Sequence, residues 1–106
     1  MGDLDQEFRT LERSVEELVA LLQEEDETFW SSYLRRGLRQ VGENRLSGVT
    51  FILGCYGGFE TFSDFRLGER WQVEDPLRYR NLNSRLTLLR SRAFDAANVI
   101  TARRSW

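Results

Sequence analysis

Histidine is missing from this chain of 106 residues, and so is lysine; all 15 basic residues are arginine. The first absence removes Ser–His and Cys–His nucleophiles and every imidazole metal ligand. The second removes Schiff-base chemistry and the Walker-type phosphate loop. One cysteine, Cys55, excludes an internal disulfide and suits a reducing compartment. Long apolar runs are lacking too: the longest uncharged stretch, Leu46 to Phe59, is too short and too rich in glycine to cross a bilayer. No basic segment followed by an apolar one opens the chain, so no secretory leader is expected and the expected location is the cytoplasm. Most common catalytic kits are thereby excluded, and no cofactor or metal ion is expected.

What is present fits one soluble domain. A hydrophobic fraction of 41% beside 30% charged residues is enough for a single core and argues against disorder. The net charge of −2 hides a polarity. Residues 1–27 carry ten acids against Arg9 and Arg13, whereas residues 76–106 carry seven arginines against Asp95. Two such ends packed as neighbouring helices would neutralise each other; left apart, the acidic one would face a basic partner.

Leu4, Phe8, Leu11, Val15, Leu18 and Leu22 recur at spacings of four and three, which puts all six on one stripe of a helix. Asp3 and Gln6 resemble a capping box at its start, and the acidic run Glu24–Glu27 opposes the helix dipole at its end. A second helix starts from a cap at Asp26 or Thr28 and ends at Gly42 and Asn44. Its inward side reads Trp30, Tyr33, Leu34, Leu38 and Val41, with Arg35, Arg36 and Arg39 outward. Gly37 costs about 1 kcal/mol inside that helix relative to alanine, and its small size admits a close neighbour. The stretch Ser47–Tyr56 is apolar on nearly every side; it reads as a short, central, deeply buried helix, with a strand as the rival reading. Asp75-Pro76 starts a long last helix, carried by Leu82, Leu86, Leu89, Ala93, Ala96, Ala97 and Ile100 to about Arg103. The expected fold is all-α: a single four-helix domain with a long irregular loop before the last helix, anchored in its later part by Trp71 and Val73.

That loop and the helix before it are the unusual stretch. The apolar run is expected to stop at Gly57-Gly58, where glycine takes the φ > 0 that a helix end often requires. Beyond it Phe59, Phe62 and Phe65 alternate with polar residues, so the segment is expected to fold back onto the helices. Gly57, Gly58, Phe59, Phe62 and Phe65 then serve as anchors, and Glu60, Asp64 and Arg66 point outward. From Gly57 to Asp64 the chain resembles a family of small bacterial helical proteins. Their shared feature is an apolar helix ending in Gly-Gly, then a hydrophobic residue, two small residues, an apolar residue, Ser or Asn, and Asp. Glu60 departs from that pattern. The likeness covers about residues 15–70, including Trp30, Tyr33, Leu34 and the arginine-rich second helix. Proteins of this style look like immunity proteins encoded beside interbacterial toxins, which implies stoichiometric binding of a cognate toxin rather than catalysis.

Other clusters have plainer readings. Glu24-Glu25-Asp26-Glu27 lacks the alternate spacing and central glycine of a calcium loop, so a solvated helix end is the simpler account. Cys55, between Gly54 and Tyr56, reads as a small core residue rather than a nucleophile. Asp64 and Glu60 are the best pair for acid–base work, with Arg66 to tune them, although Asp64 capping its own loop is simpler. Arg78, Arg80, Arg85, Arg90, Arg92, Arg103 and Arg104 are interleaved with few aromatics, and the acidic first helix would repel phosphate. No nucleic-acid partner is expected. The expectation is a binding protein without catalytic residues, meeting a toxin or other protein through Glu60, Asp64 and Arg66 and secondarily through Glu24, Glu25 and Asp26. A structural or regulatory protein-interaction module is the alternative, a homodimer burying spare aromatics being one form of it, and an Asp64-dependent enzyme comes third.

Overall fold

The stripe read from the first helix is the seam along which the molecule is assembled. A computed structural model of the chain describes residues 2–57 and 61–104. Helix α1 spans Gly2–Glu24, and its stripe residues Phe8, Leu11, Val15, Leu18 and Leu22 are buried, with Leu4 half-buried beside them. Helix α1 starts one residue ahead of the capping box expected at Asp3, whose side chain lies outside the described residues. Helix α2 spans Thr28–Gly42, α3 Leu46–Leu53, α4 Trp71–Glu74 and α5 Pro76–Arg104. A single 3₁₀ turn, Phe62–Asp64, interrupts the connection between α3 and α4. The fold is all-α with four principal helices, and no strand occurs among the described residues.

The four principal helices close a ring. Helix α1 packs against α2 and α5, and α3 completes the circuit between α2 and α5. The acidic first helix and the arginine-rich last one are therefore neighbours, with Arg85 reaching Glu17 at 3.6 Å. At the far end of α2, Asn44 takes φ +58° as the residue past the helix, and the Asn44 and Arg45 N–H groups bond Val41 and Gln40 carbonyls. Arg9 donates to the Val41 carbonyl and to Asn44 Oδ1, and Asn44 donates to Asp5 at 2.8 Å, which ties this end to α1. Gly37 admits a neighbour as its size suggests: a Cβ there would lie 2.6 Å from Ile52 Cγ1 of α3. Gly48 repays the approach from the other side, since its Cβ would lie 2.8 Å from the Val41 nitrogen. Asp75 caps α5, accepting from Arg78 N–H at 3.2 Å, with Pro76 at the first position. No described helix is long and apolar enough to cross a membrane.

Four expectations need correction. Helix α3 is not the buried centre: Ser47 and Thr50 are exposed and Phe51 and Leu53 half-covered, because a ring member has an outer side. It also stops at Leu53, short of Gly57-Gly58, and Gly57 does not take positive φ. The chain turns early because the Phe62 N–H returns to bond the Cys55 carbonyl at 3.0 Å. The cap of α2 is neither Asp26 nor Thr28 but Glu27, whose carboxylate accepts from Trp30 N–H at 3.1 Å. Val73 anchors nothing, being 87% exposed; α4 is a single turn whose inward residue is Trp71.

Candidate functional site

Two segments far apart in sequence meet beside Trp30: an acidic turn, and a loop that carries Asp64 and Glu69 together with Arg66 and Arg70. The first is the turn joining α1 to α2. Helix α1 ends with Glu27 N–H bonded to the Leu22 carbonyl at 2.9 Å and Asp26 N–H to the Gln23 carbonyl at 3.1 Å. This double closure needs a left-handed residue between, and Asp26 supplies it at φ +58°, a conformation acidic and amide side chains tolerate better than others. Glu27 then caps α2. The acidic run is thus a tight turn with a defined backbone, in which the Glu25 and Glu27 carboxylates have partners, rather than simply a solvated helix end.

The second segment, residues 61–70, is held from α5. Phe62 is fully buried and Leu67 almost so, while Phe65 packs half-covered against the same core. Phe62 meets the rings of Trp30 at 5.2 Å and Tyr56 at 6.1 Å. Asn83, buried on α5, treats Leu67 as a strand neighbour would: its Oδ1 accepts from Leu67 N–H at 2.8 Å and its amide donates to the Leu67 carbonyl at 2.9 Å. Arg90 donates to the carbonyls of Phe62 at 2.7 Å and Phe65 at 2.9 Å. Burial draws the Arg90 pKa below its ordinary value, the direction that desolvating a cation requires, with Tyr56 acting against it. Gly68 turns the chain out of this clamp at φ +68°, where a Cβ would also press on Leu82 and Trp71 at 3.0 Å.

Glu25 joins the two segments. Its side chain is only 3% exposed, and it accepts from Trp71 Nε1–H at 3.0 Å and pairs with Arg70 at 3.6 Å and Arg78 at 3.4 Å. Both guanidiniums also lie against the Trp71 ring, 4.8 Å and 4.1 Å from its centroid. The buried carboxylate is thereby satisfied by two hydrogen bonds, from Trp71 and Arg78, with the Arg70 charge beside them.

Between the walls lies a cleft of about 630 Å³. Asp26 and Glu27 line it from the turn, Asp64 and Glu69 from the loop, and Trp30 and Phe65 contribute aromatic surface. Counting Glu25, five carboxylates face two guanidiniums, those of Arg66 and Arg70. The arrangement attracts cationic groups.

Of the residues singled out from sequence, Glu25, Asp26, Asp64 and Arg66 meet in this one cleft. Glu24 does not; it is exposed and lines a separate groove with Leu77 and Arg85. Gly58, Phe59 and Glu60 lie outside the described residues. Phe62 and Phe65 anchor the loop, and Gly57 contributes an N–H to Thr61 Oγ1 at 3.1 Å. Sequence reasoning missed Trp30, Glu27 and Glu69 as lining, and Asn83 and Arg90 as clamps. Asn83 had left a trace, as an uncharged polar residue close to the apolar positions Leu82 and Leu86.

Cys55 is buried, donates to the Ile52 carbonyl and has its thiol pushed up to about 12 by burial, which keeps it unreactive. Among the described residues, no three metal-ligating side chains converge. No family model, curated protein or solved structure matches this chain.

Proposed function

We propose that the chain is a stoichiometric protein-binding module, an inhibitor of the immunity kind, acting in the cytoplasm on a basic surface of a toxin domain. The observation that carries this reading is the meeting of Asp26 and Glu27 with Asp64 and Glu69 across one cleft. Capture needs fixed charge on a rigid frame rather than reactive groups. Both walls are fixed, one by the backbone closures of the turn and the other by Asn83 and Arg90. A lone, buried, unreactive thiol suits a reducing compartment. A protein partner is favoured over nucleic acid because Arg78, Arg85 and Arg90 are already engaged with Glu25, Glu17 and the loop carbonyls.

Co-expression with a toxin domain encoded by the adjacent gene tests the proposal. Cells carrying the wild-type chain should survive, and those carrying Asp26, Asp64 and Glu69 all changed to their amides should not. Survival of both, or of neither, overturns it.

A second reading has its own observation. Leu77, Leu88 and Val99 are exposed and stand eleven residues apart, close to three full turns, so they share one side of α5. A second copy of the chain laid along that side would bury them. A dimer in sedimentation that Leu88→Arg dissociates would favour this reading.

A further inference from the structure

The chain carries its own example of how it accommodates a guanidinium. At Trp71, two arginines lie against an indole while a carboxylate, Glu25, accepts from Arg78 and pairs with Arg70. The cleft offers the same two ingredients from different residues. Trp30 supplies an indole, and Asp26 and Glu69 supply carboxylates from the two walls. Glu27 is occupied in capping α2, and Glu25 in the Trp71 cluster, so neither leads in recognition. Among the described residues, no guanidinium of this chain lies over Trp30.

We infer that the cleft receives an arginine side chain of the protein partner, its guanidinium against Trp30 and between Asp26 and Glu69. This rests on the reading of the chain as a protein-binding module and adds the chemistry of its occupant. Aromatic faces attract cations electrostatically, and carboxylates accept paired N–H bonds from a planar fork. Arginine meets both requirements at once and is less strongly hydrated than an ammonium, so it loses less on leaving water. The cleft is large for one side chain, which leaves room for the backbone on either side of it. An extended loop or terminus of the partner is the segment that fits.

The test uses synthetic peptides of alternating glycine and arginine, capped at both ends, with versions in which citrulline or lysine replaces arginine. Citrulline keeps the shape of arginine and drops the charge. Binding is followed on the intact chain by titration and by the indole N–H resonances in heteronuclear NMR, with Trp30→Phe assigning one of them. The arginine peptide should move the Trp30 resonance and leave that of Trp71 in place. The lysine peptide should bind more weakly, and the citrulline peptide should not bind.

The variant Asp26→Asn/Glu69→Gln should weaken binding roughly tenfold or more. Asparagine tolerates the left-handed backbone at Asp26, so the turn is kept. Glu7→Gln/Glu16→Gln removes the same charge from α1 away from the cleft and should change binding far less. Equal losses in the two double variants would reduce the effect to net charge and overturn the inference. So would a stationary Trp30 resonance, or lysine or citrulline peptides that bind as tightly as arginine. If the wild-type chain protects cells while the cleft ignores all three peptides, the binding module stands and the arginine subsite alone falls.

Discussion

The two walls of the cleft differ in charge and in construction: the turn carries only acids, whereas the loop sets Asp64 and Glu69 beside Arg66 and Arg70. In the turn wall, every bond that positions Asp26 and Glu27 lies within a few residues of them: Glu27 to Leu22, Asp26 to Gln23, Trp30 to Glu27. In the loop wall, the positioning partners are Asn83 and Arg90, 16 and 28 residues on from Leu67 and Phe62. A local closure costs little chain entropy and forms with its helices. A distant clamp holds only while the whole core holds. One side of the recognition surface is therefore a property of a short sequence, and the other is a property of the fold.

The strongest way to break this contrast is Phe62→Ala. Emptying a fully buried aromatic site should cost about 3–5 kcal/mol. Cys55 gives an independent measure, because its carbonyl accepts the Phe62 N–H and its own thiol is buried. Labelling by a thiol reagent under native conditions should be slow in the wild type. In Phe62→Ala it should rise by about tenfold for each 1.4 kcal/mol of opening free energy lost. Unchanged labelling and an unchanged urea midpoint would mean that the loop is not pinned through Phe62.

Glu25→Ala probes the bridge between the walls and should have a smaller effect. Trp71 loses its acceptor, while Arg70 and Arg78, both about half exposed, regain water. The expected loss is about 1–2 kcal/mol, chiefly from the charged hydrogen bond. It should appear as an earlier urea midpoint together with a changed Trp71 indole resonance. A stability equal to wild type would show that the loop wall stands without its tie to α1.

Asp26→Gly sharpens the comparison with the smallest change. Glycine relieves the left-handed strain at φ +58° but loosens the unfolded chain, so a net gain of about 0.5 kcal/mol is expected. Stability and capture should then move in opposite directions, since the same change removes a carboxylate from the cleft. A loss of stability instead would assign the Asp26 side chain a part in holding the turn.

Much of this was open to reading from sequence, and the residues show where reading stopped. The stripe from Leu4 to Leu22, the Asp75-Pro76 start of α5 and the close approach at Gly37 all follow from periodicity and local chemistry. Phe62 and Phe65 were legible as anchors because a run of aromatics next to helices has to find cover. Glu25 was legible as an acid but not as a buried one, since its burial depends on Trp71, Arg70 and Arg78 arriving from elsewhere. Val73 misled for the same reason: an apolar residue in a single helical turn has a side only once its neighbours are placed.

By itself, then, the sequence determined the principal helices and the Asp75 cap of α5, because each depends on contacts within about one or two turns of chain. Only the tertiary structure decided that the acidic turn and residues 61–70 line one cleft with Trp30, and that Asn83 and Arg90 clamp the loop. Those facts depend on which helix faces lie together, and side-chain burial at that range is settled by the packing of the whole core.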